Sequence, residues 1–157
     1  MTEETTSFLT EAIRLAIDNV RNGGGPFGAI VVKDGQIVGR GVNRVTANND
    51  PTAHAEVMAI RDACAKLGSF QLHGCTLFTS CEPCPMCLGA IYWARPDQVF
   101  FAANKETASA AGFDDDFIYQ ELALPVAQRS IPMTCGCEAE SIKPFEEWNN
   151  RADKVEY

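Results

Sequence analysis

Two short runs contain the residues best suited to chemistry: His54-Ala55-Glu56 and, further along, Pro83-Cys84-Pro85-Met86-Cys87. Cys84 and Cys87 lie three apart at the start of an expected helix, so their side chains share a face and can chelate one ion. The positive end of that helix lowers thiol pKa values and favours thiolates. Two thiolates neutralise Zn²⁺, and His54 adds a neutral third ligand. The fourth tetrahedral position is left for water, the pattern of a catalytic zinc. Such a metal brings the pKa of bound water from about 15.7 towards roughly 7. Glu56, next to His54 and not needed as a ligand, can take the water proton and pass it to a nitrogen beside the attacked carbon. Cys81-x-x-Cys84 also has chelating spacing, so a closed structural site with Cys81 as fourth ligand is the alternative. It gives no reason for Glu56 beside the histidine. Iron occupies related sites, but the imidazole and thiolate set favours Zn²⁺.

These residues need elements to hold them. Phe8, Leu9, Ala12, Ile13, Leu15, Ala16 and Val20 recur at helical spacing, with Thr5, Thr6 and Ser7 available as caps, until Asn22-Gly23-Gly24-Gly25-Pro26 stops the helix. Phe27 to Lys33 is rich in β-branched residues, Asp34-Gly35 is a hairpin turn, and Gln36 to Asn43 returns as a second strand. A polar loop through Asn48-Asn49-Asp50-Pro51-Thr52 leads to a helix over about Ala53 to Leu67, carried by Val57, Ile60, Cys64 and Leu67 and closed by Gly68. Thr76 to Thr79 reads as a strand, Pro85 to Ala94 as a helix and Gln98 to Ala103 as another strand. Strands alternating with helices predict a sheet covered on both faces. Beyond Asn104 the expected elements are a helix over Asp115 to Leu122, a strand over Ile131 to Thr134 and an amphipathic helix over Pro144 to Lys154.

With 157 residues, 46% hydrophobic and 22% charged, one domain spanning 1–157 is expected. The net charge of −8 disfavours a nucleic-acid partner, because it repels the phosphate backbone. The sequence contains neither a secretion signal nor an apolar run long enough for a bilayer, so the expected location is cytoplasmic, with no membrane partner. Seven cysteines, an odd number, then read as reduced thiols and metal ligands rather than a disulfide framework.

Gly23-Gly24-Gly25 lacks the Lys-Ser or Lys-Thr of a phosphate cradle and reads as a helix stop. His73 reads as a surface histidine, Cys64 and Cys75 as core filler, and Cys135-Gly136-Cys137 as ordinary thiols.

The two runs fit the H-x-E and P-C-x-x-C pattern of zinc nucleobase deaminases. The chain resembles the cytidine deaminase superfamily and, within it, the bacterial guanine deaminases. The resemblance covers nearly the whole chain, including Gly25-Pro26-Phe27-Gly28-Ala29, Asn49 to Glu56, Thr79 to Pro96, Gly112-Phe113-Asp114-Asp115 and the terminal Tyr157. The first half of that set is shared with tRNA adenosine deaminases; the Gly-Phe-Asp-Asp segment and the tyrosine point to guanine. The resemblance implies an α/β protein with a three-layer α/β/α cytidine deaminase-like fold around a five-stranded mixed sheet. It also implies one Zn²⁺ per chain, a small-molecule purine base as substrate, and a homodimer whose C-terminal segments are exchanged, so that Tyr157 reaches the other chain's site. By the same carry-over, Asn43 hydrogen-bonds the purine and Phe27, Ala55, Trp93 and Phe113 help form its pocket. Asp115 would join Glu56 in moving protons, although Asp114, Asp115 and Asp116 all stand at that point in the sequence. The implied reaction is guanine plus water to xanthine plus ammonia.

The nearest rival is a tRNA adenosine deaminase, whose phosphate contacts need lysines and arginines. From Glu138 to Tyr157 six acidic residues face three basic ones, a balance of −3, which suits that task poorly. Other rivals are a deaminase of guanosine, cytosine, isocytosine or an aminotriazine, and a zinc-stabilised binding module without turnover.

Overall fold

Gln36–Val42 (β2) folds back on Gly28–Lys33 (β1) through a turn in which Asp34 and Gly35 both adopt positive φ, 49° and 71°. That is the turn whose twist matches antiparallel strands, and Asp-Gly is the dipeptide that tolerates it. The computed structural model describes residues 1–113 and 115–157, which separate into two compact units, Met1–Asp116 and Phe117–Tyr157.

In the first unit, α1 (Glu3–Arg21) precedes the hairpin; α2 (Val45–Asn48), α3 (Ala55–Leu67), β3 (Cys75–Cys81), α4 (Pro85–Ala94), β4 (Gln98–Ala103) and α5 (Lys105–Ala110) follow it. Strand order is β2-β1-β3-β4. β1 runs antiparallel to both neighbours and β3 is parallel to β4, so β2, β3 and β4 share one direction. Alternation along β1 divides the core into two layers. Ala29 and Val31 pack with Ala55, Ala59, Ala63, Ile91 and Ala94 of α3 and α4, whereas Ile30 and Val32 pack with Leu9 of α1 and Phe78 of β3. This is an α/β fold with a mixed sheet between two helical layers.

The expected five strands are four among the described residues. Ile131 to Thr134, read as a short strand, has no regular structure. Ile131 and Met133 are exposed, and the second unit offers no strand to complete a ladder there.

Other differences have local causes. The cap of α1 is Thr2, whose Oγ1 accepts from the Thr5 backbone N–H at 3.1 Å, while Thr5, Thr6 and Ser7 lie inside the helix. Its buried face is Leu9, Ala12, Ala16 and Asn19, leaving Ile13 and Val20 exposed. On α3 the buried residues are Ala55, Glu56, Ala59 and Ala63, with the larger Val57 and Ile60 only half-buried. A Cβ placed on Gly39 would lie 2.6 Å from the Ala59 carbonyl and 2.7 Å from the Ala63 Cβ, and one on Gly41 would meet the backbone of Ala55, Met58 and Ala59. The helix therefore rests directly on the β2 backbone. One irregularity permits this: pairing skips from Val31↔Gly39 to Val32↔Ile37, so Val38 is an extra residue in β2. The short helices α2 and α5, not expected from the sequence, are held by local hydrogen bonds such as Thr107 N–H to Asn104 Oδ1 at 3.1 Å.

The second unit contains α6 (Asp116–Ala123, begun at the last residue of the first unit), a 3₁₀ turn at Val126–Gln128, α7 (Glu138–Ser141) and α8 (Lys143–Asn150). The closing helix stops at Asn150, short of the expected Lys154, and Arg151 pairs with Asp153 beyond it. No helix among the described residues is long and apolar enough to cross a membrane.

Gly39→Ala is expected to lower stability by about 1–3 kcal/mol, because the added methyl overpacks a contact between backbone and alanine that cannot open locally. Thermal denaturation followed by circular dichroism measures this; an unchanged midpoint would refute the close approach.

Candidate metal and catalytic site

Parallel alignment of β2 and β3 brings the starts of α3 and α4, which follow those strands, to one end of the sheet. In open α/β sheets, ligands bind in the crevice beyond the carboxyl ends of the strands. His54 is the N-cap residue of α3 and Cys84 the N-cap residue of α4, both with extended backbone. Pro85 follows at a first-turn position, where its missing N–H costs nothing. Cys87 then lies one turn inside the helix and is buried, while His54 and Cys84 are half-buried.

The His54 Nδ1 atom lies 3.5 Å from the Sγ of Cys84 and 3.5 Å from the Sγ of Cys87. All three donor atoms lie within 4.8 Å of one another, the arrangement among the described residues that could hold a metal ion. Tetrahedral coordination with Zn–S of about 2.3 Å and Zn–N of about 2.05 Å requires N···S separations of about 3.6 Å. The donor set fits zinc in spacing as well as in softness. Cys81, the candidate fourth ligand of a closed site, is not part of this group; its thiol donates to the Asn104 carbonyl at 3.7 Å, and burial pushes its pKa up to about 11.

The two thiols are shifted in opposite directions. The hydrogen bond from Cys87, helped by His54, holds the Cys84 thiol down at about 4, and the same bond to Cys84, with burial and the nearby Glu56, pushes Cys87 upward. The Cys84 hydrogen bond also raises the His54 pKa, with smaller contributions from the negative charges of Glu56 and Asp115.

Glu56, in the first turn of α3, is 5% exposed, yet it accepts from the Thr79 hydroxyl at 3.3 Å and from the Cys87 thiol at 3.4 Å. Burial raises its pKa. A carboxyl so placed beside the donor triangle, and outside it, is suited to carrying a proton between partners. Thr79 was not singled out from sequence; its signal is a hydroxyl within the buried run Thr79-Ser80-Cys81 of β3.

The remaining site residues fall into several places. Ala55 is fully buried under the site, and Asn43 follows β2, half-buried, its Oδ1 accepting from the Val45 N–H at 3.3 Å. Phe27 and Phe113 meet edge to face, 4.9 Å between ring centres. Trp93 is 64% exposed on α4, more open than a core aromatic. Asp115 lines a polar cavity of about 400 Å³ with Lys105, Glu106, Ser109 and Asp116, and Asp116 is ion-paired to Lys105 at 3.3 Å. Asp114 lies outside the described residues. Tyr157 belongs to the second unit, where its ring stands 6.4 Å from that of Trp148.

Residues 2–103 match the family described as the cytidine and deoxycytidylate deaminase zinc-binding region. The guanine deaminase of Bacillus subtilis (strain 168) is 57% identical over 158 residues, covering all of both chains. An X-ray structure of guanine deaminase from Bacillus subtilis has a TM-score of 0.95 at 56% identity, over 100% of this chain and 99% of that one. A solved structure of NE0047 in complex with 2,6-diaminopurine has a TM-score of 0.69 at 35% identity, over 71% of this chain and 62% of that one. The tRNA-specific adenosine deaminase of Streptococcus pyogenes (serotype M18) is 41% identical over 120 residues, covering 76% of this chain and 73% of its own. With the donor triangle and the buried carboxyl beside it, these similarities make the conclusion plain: the chain belongs to the zinc-binding cytidine and deoxycytidylate deaminase family, in which it stands with the guanine deaminases.

Proposed function

We propose that this chain hydrolyses guanine to xanthine and ammonia at the site formed by His54, Cys84, Cys87 and Glu56. The observation that carries the reading is a buried carboxyl beside a three-donor zinc triangle, on a chain similar along its full length to a guanine deaminase. His54, Cys84 and Cys87 hold one Zn²⁺ per chain, which when bound supplies the Lewis acidity that makes water nucleophilic near neutral pH. Glu56 accepts a proton from the attacking water and delivers it to the ring nitrogen beside the amine-bearing carbon. Thr79, by donating to one Glu56 oxygen, holds the carboxyl in place for both transfers. Asp115 then helps protonate the departing amine.

Asn43 grips the polar edge of the purine, Phe27, Phe113, Ala55 and Trp93 enclose its faces, and no sugar or phosphate contact is needed. The proposal also includes one functional domain over 1–157, a cytoplasmic location and a homodimer with exchanged C-terminal segments that carry Tyr157 to the partner's site. A tRNA substrate is the second reading, supported by the 41% identity to a tRNA-specific adenosine deaminase and opposed by the −3 balance of residues 138 to 157.

Zinc-loaded protein is expected to release ammonia from guanine with xanthine as product, and not from a tRNA anticodon stem-loop; the reverse preference would overturn the substrate assignment. Glu56→Gln should keep its zinc and lose about 10²–10⁴-fold in kcat. Cys87→Ala should lose both metal and rate. Elemental analysis beside the ammonia assay separates the two variants, and an active Glu56→Gln would exclude this carboxyl as the proton carrier.

A further inference from the structure

Asn19, on the last turn of α1, is 6% exposed, and no motif or proposed contact includes it. Its side-chain amide donates to two carbonyls, Gly25 O at 2.8 Å and Asn43 O at 2.9 Å. The Phe27 N–H donates to the same Gly25 oxygen at 2.9 Å, and the Asn43 N–H donates to Phe27 O at 3.1 Å. The four residues therefore close a ring of hydrogen bonds: Asn19 to Gly25, Gly25 to Phe27, Phe27 to Asn43, and Asn43 back to Asn19. Two further contacts tie the ring to the site. Gly25 stands so close to Asn43 that an added Cβ would lie 3.1 Å from its Cγ, and the Arg44 N–H donates to the carbonyl of Ala53, the neighbour of His54, at 2.8 Å.

We propose that Asn19 is a positioning residue for the purine pocket, its amide holding the Gly25 and Asn43 carbonyls so that the Asn43 and Phe27 side chains meet the base in a fixed direction. The inference rests on the assignment of Asn43 and Phe27 as purine contacts. Only a short side chain with two N–H donors satisfies both carbonyls; a carboxylate would set lone pairs against them, and alanine would free the loop from the strand. Asn19 touches no substrate, so it acts on affinity through the residues that do.

Gly24 gives independent access to the same ring. A Cβ there would lie 2.6 Å from the Cγ and 2.6 Å from the Oδ1 of Asn19, closer still to the Nδ2. Gly24 is not among the positive-φ glycines, so Gly24→Ala presses on the amide without straining the backbone.

The experiment is steady-state kinetics on guanine with the zinc-loaded full chain for wild type, Asn19→Ala, Gly24→Ala and the double variant, with zinc content and thermal midpoint for each. KM should rise at least about tenfold in each single variant, as expected when a contact group is displaced by a fraction of an ångström to an ångström. Changes in kcat should stay within about threefold and zinc should stay at the wild-type level. The double variant should be no worse than Asn19→Ala, because the methyl then meets no amide. Unchanged KM in the folded single variants, a loss confined to kcat, or multiplicative effects in the double variant would overturn the proposal. Should Asn19→Ala not fold, Gly24→Ala decides on its KM alone. Wild-type silence on guanine would instead overturn the purine reading, and this proposal with it.

Discussion

The contact between α3 and β2 sets the height of everything above it. Helices normally stand off a sheet by the length of their side chains, but here Gly39 and Gly41 remove the side chains from one partner and Ala55, Ala59 and Ala63 shorten them on the other. The helix axis is drawn down onto the strand, and its N-cap residue comes within reach of the N-cap residue of α4. His54 and Cys84 can then meet at 3.5 Å although they cap different helices. Larger residues in this layer would raise one helix relative to the other and separate the donors. Close packing in this layer thus contributes to the spacing of the triangle.

That placement concentrates groups with opposite demands. Two thiols and an imidazole gather at the positive ends of two helices, where negative charge is favoured. A carboxyl is buried beside them, and burial favours its protonated form. The lowered Cys84 and the raised Glu56 have different causes, hydrogen bonds from Cys87 and His54 for the thiol and burial for the carboxyl, yet both arise from the same crowding of groups. Thr79 adds a donor from the strand below, fixing one carboxyl oxygen from a third element.

Much of this was legible in the sequence, for identifiable reasons. The donor spacing of Cys84 and Cys87, Pro85 at a first turn and Asp34-Gly35 at a hairpin are local signals, and they correspond to local structure. Positions set by tertiary contact were not legible. The alanine face of α3 is invisible to a search for large apolar residues, which instead finds Val57 and Ile60 at the half-buried edge. Asn19 reads as a polar residue near the end of a helix until the chain brings the carbonyls of Gly25 and Asn43 to it. The strand expected at Ile131 to Thr134 shows the converse: β propensity alone forms no strand where no neighbour supplies hydrogen bonds. Residue identity in the acidic run was equally opaque, since only the folded chain assigns Asp116 to Lys105.

The extra residue at Val38 has an effect beyond the hairpin. Without it, Ile37 and Gly39 would point to the same face of the sheet; with it, Ile37 joins the α1 layer while Gly39 and Gly41 remain under α3. The strand thus carries two independent reading frames, one for the turn and one for the end that leads to the donor triangle. A change of phase near Asp34-Gly35 is thereby confined to the turn side of Val38, and the end of the strand that leads towards His54 keeps its own register.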